Sequence, residues 1–249
     1  MDPQGVRRAD RPVRQGAAGA MKFRKFKELV NLSQEEICRD FLAENRDRIR
    51  VKKDQTVVKN LVKIFDATLS ISSRKGFQAM SVRDLSRETG LSMGALYSYF
   101  KGKEQLLDMI QRHGLRILMR VLLSEIEKGR DPWEKLVRAV ETHLYLSEVM
   151  RPWFYFGYME AKNLGRDERK RAIERELYTE GLLVEILQAG REEGRFRPVD
   201  PTLTAAVLKA ILQDWYLKTW KYQKRAVSVE DYARFVIGMM ESFLLPSGK

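Results

Sequence analysis

The chain has 249 residues, a formal net charge of +12 and 44% hydrophobic residues, which is ordinary for a folded protein. Residues 1–112 hold 23 Lys and Arg against 14 Asp and Glu, so most of the positive excess lies there. That excess favours a polyanionic partner, nucleic acid or an anionic membrane surface, with a solubilising surface as an equal alternative. The single cysteine, Cys38, excludes a disulfide framework or a four-ligand zinc site and fits a reducing cytoplasm.

The first 53 residues are predicted to form a basic extension. Residues 1–20 are rich in Arg, Gly, Ala and Pro and lack an apolar core, which indicates a disordered tail and not a signal peptide. Ser33, followed by Glu36, forms a capping-box pattern that predicts a helix over about 33–50. No apolar run in the chain reaches the roughly 18 residues that span a bilayer, so we expect a cytoplasmic protein without a membrane partner.

Positive charge within this extension is concentrated in two places, residues 22–27 and 46–53. Basic arms of this kind can reach the minor groove or the phosphates of DNA. A helix here could instead brace a DNA-binding domain or contact a partner subunit. A solvated, partly disordered arm is the third interpretation, and the sequence leaves all three open.

Residues 54–101 have the pattern of a small helical domain. An apolar stripe at helical spacing over 58–69 predicts a buried helix that ends near Gly76. Two short helices follow, and a glycine-containing turn separates them. A short helix, a tight turn and a second short helix, over about 81–99, form the helix-turn-helix pattern.

The second helix of such a unit enters the major groove of DNA with its N-terminal residues at the base edges. Ser81 and Ser92 can each cap one of the two helices, and Gly90 can close the first in the left-handed conformation. The residues expected at the base edges are Met93, Gly94 and Ala95, with Ser98 and Tyr99 as further polar contacts. The residues expected to bind phosphates are Ser81, Ser92, Tyr97, Lys101 and Lys103.

Helical periodicity continues to the C-terminus, and strand alternation is absent. Helices are predicted at about 103–128, 132–149, 152–163, 167–194, 201–223 and 229–245. Long helices joined by short loops indicate an all-α bundle. We therefore expect a three-helix DNA-binding domain at 54–101 and a helical bundle at 102–249.

The stretch at 90–106 resembles the signature of TetR-type transcriptional regulators, and Gly-Phe at 76–77 and Ser-Val at 81–82 match the same pattern. The strong similarity covers about residues 56–107, and the connection at 194–201 also fits. The resemblance implies nine core helices, a ligand-binding and dimerisation domain at 102–249 with the dimer formed through the last two helices, and ligand-induced release from a palindromic operator.

Two features depart from the family pattern. Met93 stands where many members carry a polar residue, which leaves one fewer polar contact to DNA. The segment at 21–53 is extra, because members usually begin near the helix that contains Phe65. The extension is therefore the part of the chain that the resemblance explains least.

Two aromatic clusters in the C-terminal half indicate a ligand cavity, because a cavity in a helix bundle needs apolar walls and a few polar anchors. The residues expected to line it are His143, Trp153, Phe156, Tyr158, Met159, Trp215 and Tyr216. The alternative is that these side chains belong to the core or to an interface, where Trp and Tyr are also favoured. If they line a cavity, we expect a large apolar ligand such as a lipid, an acyl thioester or an aromatic compound.

The last two predicted helices carry the candidate dimer faces. One face consists of Leu203, Ala206, Val207, Ala210, Ile211 and Asp214, and the other of Phe235, Met239, Ser242 and Phe243. A mixture of small and large residues suits helices that pack at close range across a two-fold axis. The alternative is that both faces build only the monomer core.

These observations indicate a ligand-responsive repressor that binds a palindromic operator in double-stranded DNA as a homodimer and is released by a small, apolar effector. We expect the effector to act by moving the helix at 103–128. An activator, or an interaction protein with weakened DNA binding, is the alternative. An enzyme is not expected, because the sequence has no Ser/His/Asp set, phosphate loop or metal-ligand spacing, and no cofactor or metal is expected either.

Overall fold

The computed structural model describes residues 21–30, 33–46, 49, 51–161 and 166–246. These residues form twelve α-helices joined by loops and contain no strand. The disordered tail predicted for residues 1–20 lies outside them. The helices are α1 (Phe23–Val30), α2 (Gln34–Asn45), α3 (Asp54–Lys75), α4 (Val82–Thr89), α5 (Met93–Leu96), α6 (Lys103–Ile126), α7 (Pro132–Val149), α8 (Arg151–Glu160), α9 (Arg166–Glu192), α10 (Pro201–Leu217), α11 (Thr219–Lys224) and α12 (Val229–Leu244). The predicted all-α class is confirmed.

Local capping signals explain where most of these helices begin. Ser33, Ser81 and Ser228 each form a full capping box with the acidic residue three positions later. Asp131 and Asp200 cap α7 and α10, and each is followed by a proline in the first turn. These caps satisfy amide groups that have no partner within the helix, so the sequence predicted these N-termini within one or two residues.

The helix predicted over about 33–50 ends earlier, at Asn45. The Arg46 guanidinium donates to the carbonyl oxygens of Ile49, Val51 and Lys52 and forms a 3.3 Å ion pair with Asp54. Arg46 therefore closes the connection between α2 and α3. The sequence had placed this cation in a basic arm.

Two hydrophobic clusters form the interior, and α6 contributes to both. The first cluster joins α2 to α5 with the N-terminal half of α6, where Leu106 and Ile110 are buried. The second joins α7, α9, α10 and α12 with the C-terminal half of α6, where Ile117 and Leu122 are buried. One continuous helix, α6, therefore connects the two clusters.

The N-terminal extension packs on its own chain. Phe26 of α1 is 0% exposed and contacts the ring of Tyr145 on α7 edge-on, with ring centroids 5.5 Å apart. Phe41 of α2 packs edge-on against Phe65 of α3, with ring centroids 5.2 Å apart. Over its described residues the extension thus braces both clusters, and the interpretation as a solvated arm is wrong there.

The helix predicted over 201–223 is broken into α10 and α11 at Lys218, which has φ −123° and ψ 36°. The hydroxyl of Thr219 donates to the carbonyl oxygen of Trp215 at 2.9 Å and so competes with the helical backbone bonds. The break turns Tyr222 back onto Trp215, and the two rings stack with centroids 5.0 Å apart.

Candidate nucleic-acid interface and ligand cavity

The turn between α4 and α5 is held by side-chain hydrogen bonds. Gly90 ends α4 in the left-handed conformation, with φ 70°, where a side chain would be strained. The Ser86 hydroxyl donates to the Leu91 carbonyl at 2.6 Å, and the Thr89 hydroxyl accepts from the Leu91 amide at 3.2 Å. Leu85 and Leu96 are fully buried and lock α4 and α5 to the first cluster. This geometry is that of a helix-turn-helix.

The residues predicted to contact DNA lie in one continuous stretch around α5, and their exposure differs. Ser92, Gly94, Tyr97 and Lys101 are exposed, while Met93, Ala95 and Ser98 are half-buried. The Ser98 hydroxyl donates to the Ala95 carbonyl at 2.6 Å, and the Ser92 hydroxyl accepts from the Ala95 amide at 3.2 Å.

Ser81 is exposed at the start of α4, and Asp84 holds its hydroxyl. That hydroxyl accepts from the Asp84 amide at 3.2 Å and donates to the Asp84 carboxylate at 2.7 Å. Hydrogen bonds from Lys75 and from Ser81 hold the pKa of Asp84 well below its usual range. To bind a phosphate, Ser81 would have to give up the bond that it donates within this capping box.

Tyr99 is a correction to the predicted interface. Its side chain is 3% exposed, and its hydroxyl accepts a 2.8 Å hydrogen bond from the side-chain amide of Asn60 on α3. Burial raises the pKa of the Tyr99 hydroxyl. Tyr99 therefore belongs to the core and is not available to bases.

Lys103 lies at the start of α6, and its ammonium already has partners. Its Nζ donates to the Gln78 carbonyl at 2.7 Å and lies 5.7 Å from the centre of the Phe77 ring. The ammonium thus stabilises the connection between α3 and α4, and a phosphate would have to compete with these contacts. Lys101 is exposed and is the freer of the two lysines.

A cavity of about 690 Å³ lies among α6, α7, α8, α9 and α10. Six of the seven residues predicted to line it do so, and they are His143, Trp153, Phe156, Tyr158, Met159 and Tyr216. Trp215 does not line it. Its ring stacks on Tyr222, and its Nε1 donates to the Glu148 carboxylate at 2.9 Å, so it belongs to the second cluster.

The cavity also has a polar end that sequence reasoning missed. Lys209 is 5% exposed, and its ammonium contacts the Thr179 hydroxyl and lies 3.3 Å from the Glu176 carboxylate. Burial lowers the pKa of Lys209. His143 is also buried, and burial followed by the charge of Lys209 lowers its pKa to about 3. A lysine in the apolar periodicity of α10 was the signal that could have identified this end.

Helix α8 separates this cavity from the DNA-binding helices. Trp153 packs edge-on against Phe65 of α3, with ring centroids 5.4 Å apart, and Phe156 packs against Phe77 at 5.7 Å. A second cavity, of about 870 Å³, lies on the other side of α8, between α8 and α3, and also contacts Trp153 and Phe156. One short helix is thus the wall of both spaces.

Helices α10 and α12 leave large apolar side chains exposed. Leu203 is 64% exposed and Val207 53% on α10, and Phe235 is 71%, Met239 38% and Phe243 49% on α12. These five residues come from the two faces that the sequence singled out. In the described part of the chain, no helix is long and apolar enough to cross a membrane, and no cluster of His, Cys, Asp and Glu could hold a metal ion.

Two family models match this chain. One, described as bacterial regulatory proteins of the tetR family, matches residues 64–110. The other, described as a tetracyclin repressor-like C-terminal domain, matches residues 129–242. Together they cover well over half of the chain, and they include the helix-turn-helix and, apart from residues 111–126 of α6, the helices that form the 690 Å³ cavity.

Curated relatives are similar over most of their length. The HTH-type transcriptional regulator HbdR from Aromatoleum sp. (strain CIB) is 25% identical over 186 residues, which cover 75% of this chain and 81% of that protein. The HTH-type transcriptional repressor KstR2 from Rhodococcus jostii (strain RHA1) is 27% identical over 174 residues, which cover 69% of this chain and 84% of that protein.

Solved structures share the fold. PfmR from Thermus thermophilus, a TetR family transcriptional regulator, is 29% identical with a TM-score of 0.65, covering 74% of this chain and 99% of that one. AibR in complex with isovaleryl coenzyme A and operator DNA is 21% identical with a TM-score of 0.64, covering 73% of this chain and 97% of that one. The helix-turn-helix, the C-terminal helical domain and these matches agree, and the chain is a transcriptional regulator that belongs to the TetR family.

Proposed function

We propose that this regulator is a repressor that binds a palindromic operator as a homodimer and leaves it when a small, largely apolar effector occupies the 690 Å³ cavity. The observation that carries this proposal is the contact chain through α8. Trp153 and Phe156 line the cavity and also pack against Phe65 and Phe77, which support the helix-turn-helix. These side chains would therefore couple effector binding in the cavity to DNA binding by the helix-turn-helix.

For DNA binding, α5 enters the major groove with Met93, Gly94 and Ala95 at the base edges. These side chains offer apolar contacts, for instance to a thymine methyl group, and little hydrogen bonding. Ser92, Tyr97 and Lys101, together with Ser81 and Lys103 where their internal bonds yield, bind phosphates and fix the register. Specificity then depends on apolar contacts, DNA shape and half-site spacing.

For dimerisation, the apolar faces of α10 and α12 pack against the same faces of a second copy. The support is that Leu203, Val207, Phe235, Met239 and Phe243 are large apolar side chains exposed on these two helices, which is typical of an interaction site. A two-fold axis through these faces makes the interface self-complementary. It also sets two copies of α5 at a fixed separation.

For release, the effector displaces α8 towards the second cavity, and α6 moves with it. The void beyond α8 gives that helix room to shift, and the continuity of α6 across both clusters carries the shift to the DNA-binding helices. The effector needs a preference of a few kcal/mol for the released conformation. AibR, solved in complex with isovaleryl coenzyme A and operator DNA, shows that a protein of this fold can bind both a small molecule and DNA.

The test is selection of bound duplexes from a random pool by the purified chain, followed by binding titrations at several salt concentrations. We expect an enriched inverted repeat with half-site centres about 34–36 Å apart, and tighter binding to it than to a scrambled duplex. Enrichment without an inverted repeat would contradict the dimer. If no duplex binds, the chain is an interaction protein that has kept the fold, which the apolar Met93 favours. Transcription from the selected site, with and without the chain, separates repression from activation.

A further inference from the structure

His143 carries a buried nitrogen that has no partner. Its side chain is 5% exposed, and its Nε2 makes no hydrogen bond within the described part of the chain. The described residues hold four such orphaned buried side-chain atoms, and His143 is the one of their four residues that lines the 690 Å³ cavity. Burying a polar atom without a partner costs free energy, so an unpartnered nitrogen on a residue that lines a cavity is a candidate to bind a ligand.

The ring of His143 is neutral, because its pKa is lowered to about 3 by burial and by the nearby charge of Lys209. A neutral imidazole offers one N–H donor and one acceptor nitrogen. The positive potential from Lys209 makes an approaching oxygen with partial negative charge favourable beside this ring. We therefore expect the tautomer in which Nε2 carries the proton and donates a hydrogen bond to such an oxygen.

The rest of the cavity supports the same ligand chemistry. Of its charged lining residues, Lys209, Arg169 and Arg175 are basic and Glu176 is acidic, so the wall has a positive balance. Phe154 packs edge-on against the His143 ring, with centroids 5.6 Å apart, and provides no acceptor for a ligand hydroxyl proton. An oxygen that accepts a hydrogen bond therefore fits beside the His143 ring.

We propose that the effector is an acyl compound whose carbonyl oxygen accepts a hydrogen bond from His143 Nε2–H, beside Lys209, with its apolar body against Trp153 and Phe156. This inference rests on the proposed function, since it names the chemistry of the effector. A free carboxylate and a thioester share the carbonyl oxygen and are the two sources that a test must separate. A cavity of about 690 Å³ is within the range of small-molecule sites and holds a medium-length acyl chain.

The experiment is a direct titration of the full chain with each probe, and calorimetry measures the affinity. Tryptophan fluorescence gives a second readout, because Trp153 lines the cavity. The probes are octanoate, octanoyl coenzyme A, octanamide and 1-octanol. We expect at least one carbonyl probe to bind about tenfold more tightly than 1-octanol, or better. The stronger of octanoate and octanoyl coenzyme A identifies the source, and octanamide shows whether the carbonyl suffices without charge.

Two variants on α7 form a matched pair. His143→Leu removes the donor, and we expect it to abolish the preference for carbonyl probes while leaving 1-octanol binding within about twofold. Thr142→Val replaces a neighbouring buried hydroxyl, which also lacks a partner but does not line the cavity, and all four affinities should stay within about twofold. His143→Gln restores an N–H donor and should recover part of the preference.

A structural role for His143 predicts a different outcome. Because the His143 nitrogen is unpartnered, His143→Leu should unfold at the same temperature as the wild-type chain or higher when no ligand is present. The proposal is overturned if 1-octanol binds as tightly as the carbonyl probes, if His143→Leu keeps the preference, or if no carbonyl probe binds at 1 mM, roughly the weak limit for effector sites. These titrations contain no DNA, so a failure of operator binding is a separate result.

Discussion

Glu141 is a buried carboxyl on α7 whose pKa is raised to about 7 by burial. The Met21 amide, which donates to Glu141 at 3.3 Å, and the charge of Arg138 oppose this shift, and Glu125 adds to it. A glutamate in the unfolded chain has a pKa near 4.5, so between this pH and about 7 the folded state binds more protons than the unfolded one. The stability contributed at this site is therefore lost as pH rises through that window.

The prediction is that Glu141→Gln stabilises the chain at pH 8 by about 1–3 kcal/mol and has little effect at pH 4.5. Glutamine keeps an oxygen for the Met21 amide and has no charge to bury. Urea unfolding at both pH values measures the difference. Glu185→Gln, at an exposed position on α9, is the control and should show no such pH dependence. Equal effects of Glu141→Gln at the two pH values would contradict the assignment.

Lys101 and Lys103 are indistinguishable as phosphate contacts in the sequence, and the structure separates them. We predict that Lys101→Ala weakens binding to operator and to random DNA alike. The slope of the logarithm of the binding constant against the logarithm of salt concentration should become shallower by about 1, and the free energy of unfolding should not change. Lys103→Ala should also weaken DNA binding, but it removes the bond to the Gln78 carbonyl and should lower stability as well. Intact affinity of Lys101→Ala for both DNAs would show that this lysine binds no phosphate.

Tyr99 and Trp215 show the limit of sequence reasoning at this scale. Both have a polar tip on an aromatic ring, which suits a binding role and a core role alike. Their hydrogen-bond partners, Asn60 and Glu148, lie 39 and 67 residues away along the chain. Such partners follow from helix packing, and no local pattern announces them.

Helix α1 allows a test of whether the N-terminal extension stabilises the C-terminal helices. Phe26 of α1 is fully buried against α7, whereas Leu29, on the same helix, is 61% exposed. We predict that Phe26→Ala costs about 3–5 kcal/mol of unfolding free energy, since it leaves a cavity at a buried aromatic site, and that Leu29→Ala costs less than about 0.5 kcal/mol. Urea unfolding checks both. A small cost for Phe26→Ala would mean that α1 does not hold the C-terminal helices.

The boundaries of elements were predictable where a side chain three residues away decides them. The capping boxes at Ser33, Ser81 and Ser228 are of this kind. The break at Lys218 is not, because no proline, glycine or capping box marks it, and it brings Tyr222 onto Trp215. Element ends that are set by packing therefore escaped the sequence, and those that are set by caps did not.

The exposed apolar side chains on α10 and α12 predict that two copies of the chain form a dimer. We expect Phe235→Asp to raise the dimer dissociation constant by about a hundredfold or more, because it buries an unpaired charge at an apolar contact. Sedimentation and native mass spectrometry measure the change, and operator affinity should fall with it. Leu177→Asp, at a leucine on α9 that is 59% exposed, is the matched control. A wild-type chain that is monomeric at micromolar concentration would contradict the proposed dimer.

Local sequence patterns were enough to predict the all-α fold, most helix starts, the helix-turn-helix and the family, because caps, turns and apolar periodicity are properties of neighbouring residues. Long-range contacts place the extension on both clusters, Tyr99 against Asn60, Trp215 outside the cavity and Lys209 near His143. Each of these depends on which helix faces reach each other across the interior. That choice comes from the packing of the whole chain, since the free energy of burial depends on all the surfaces brought together.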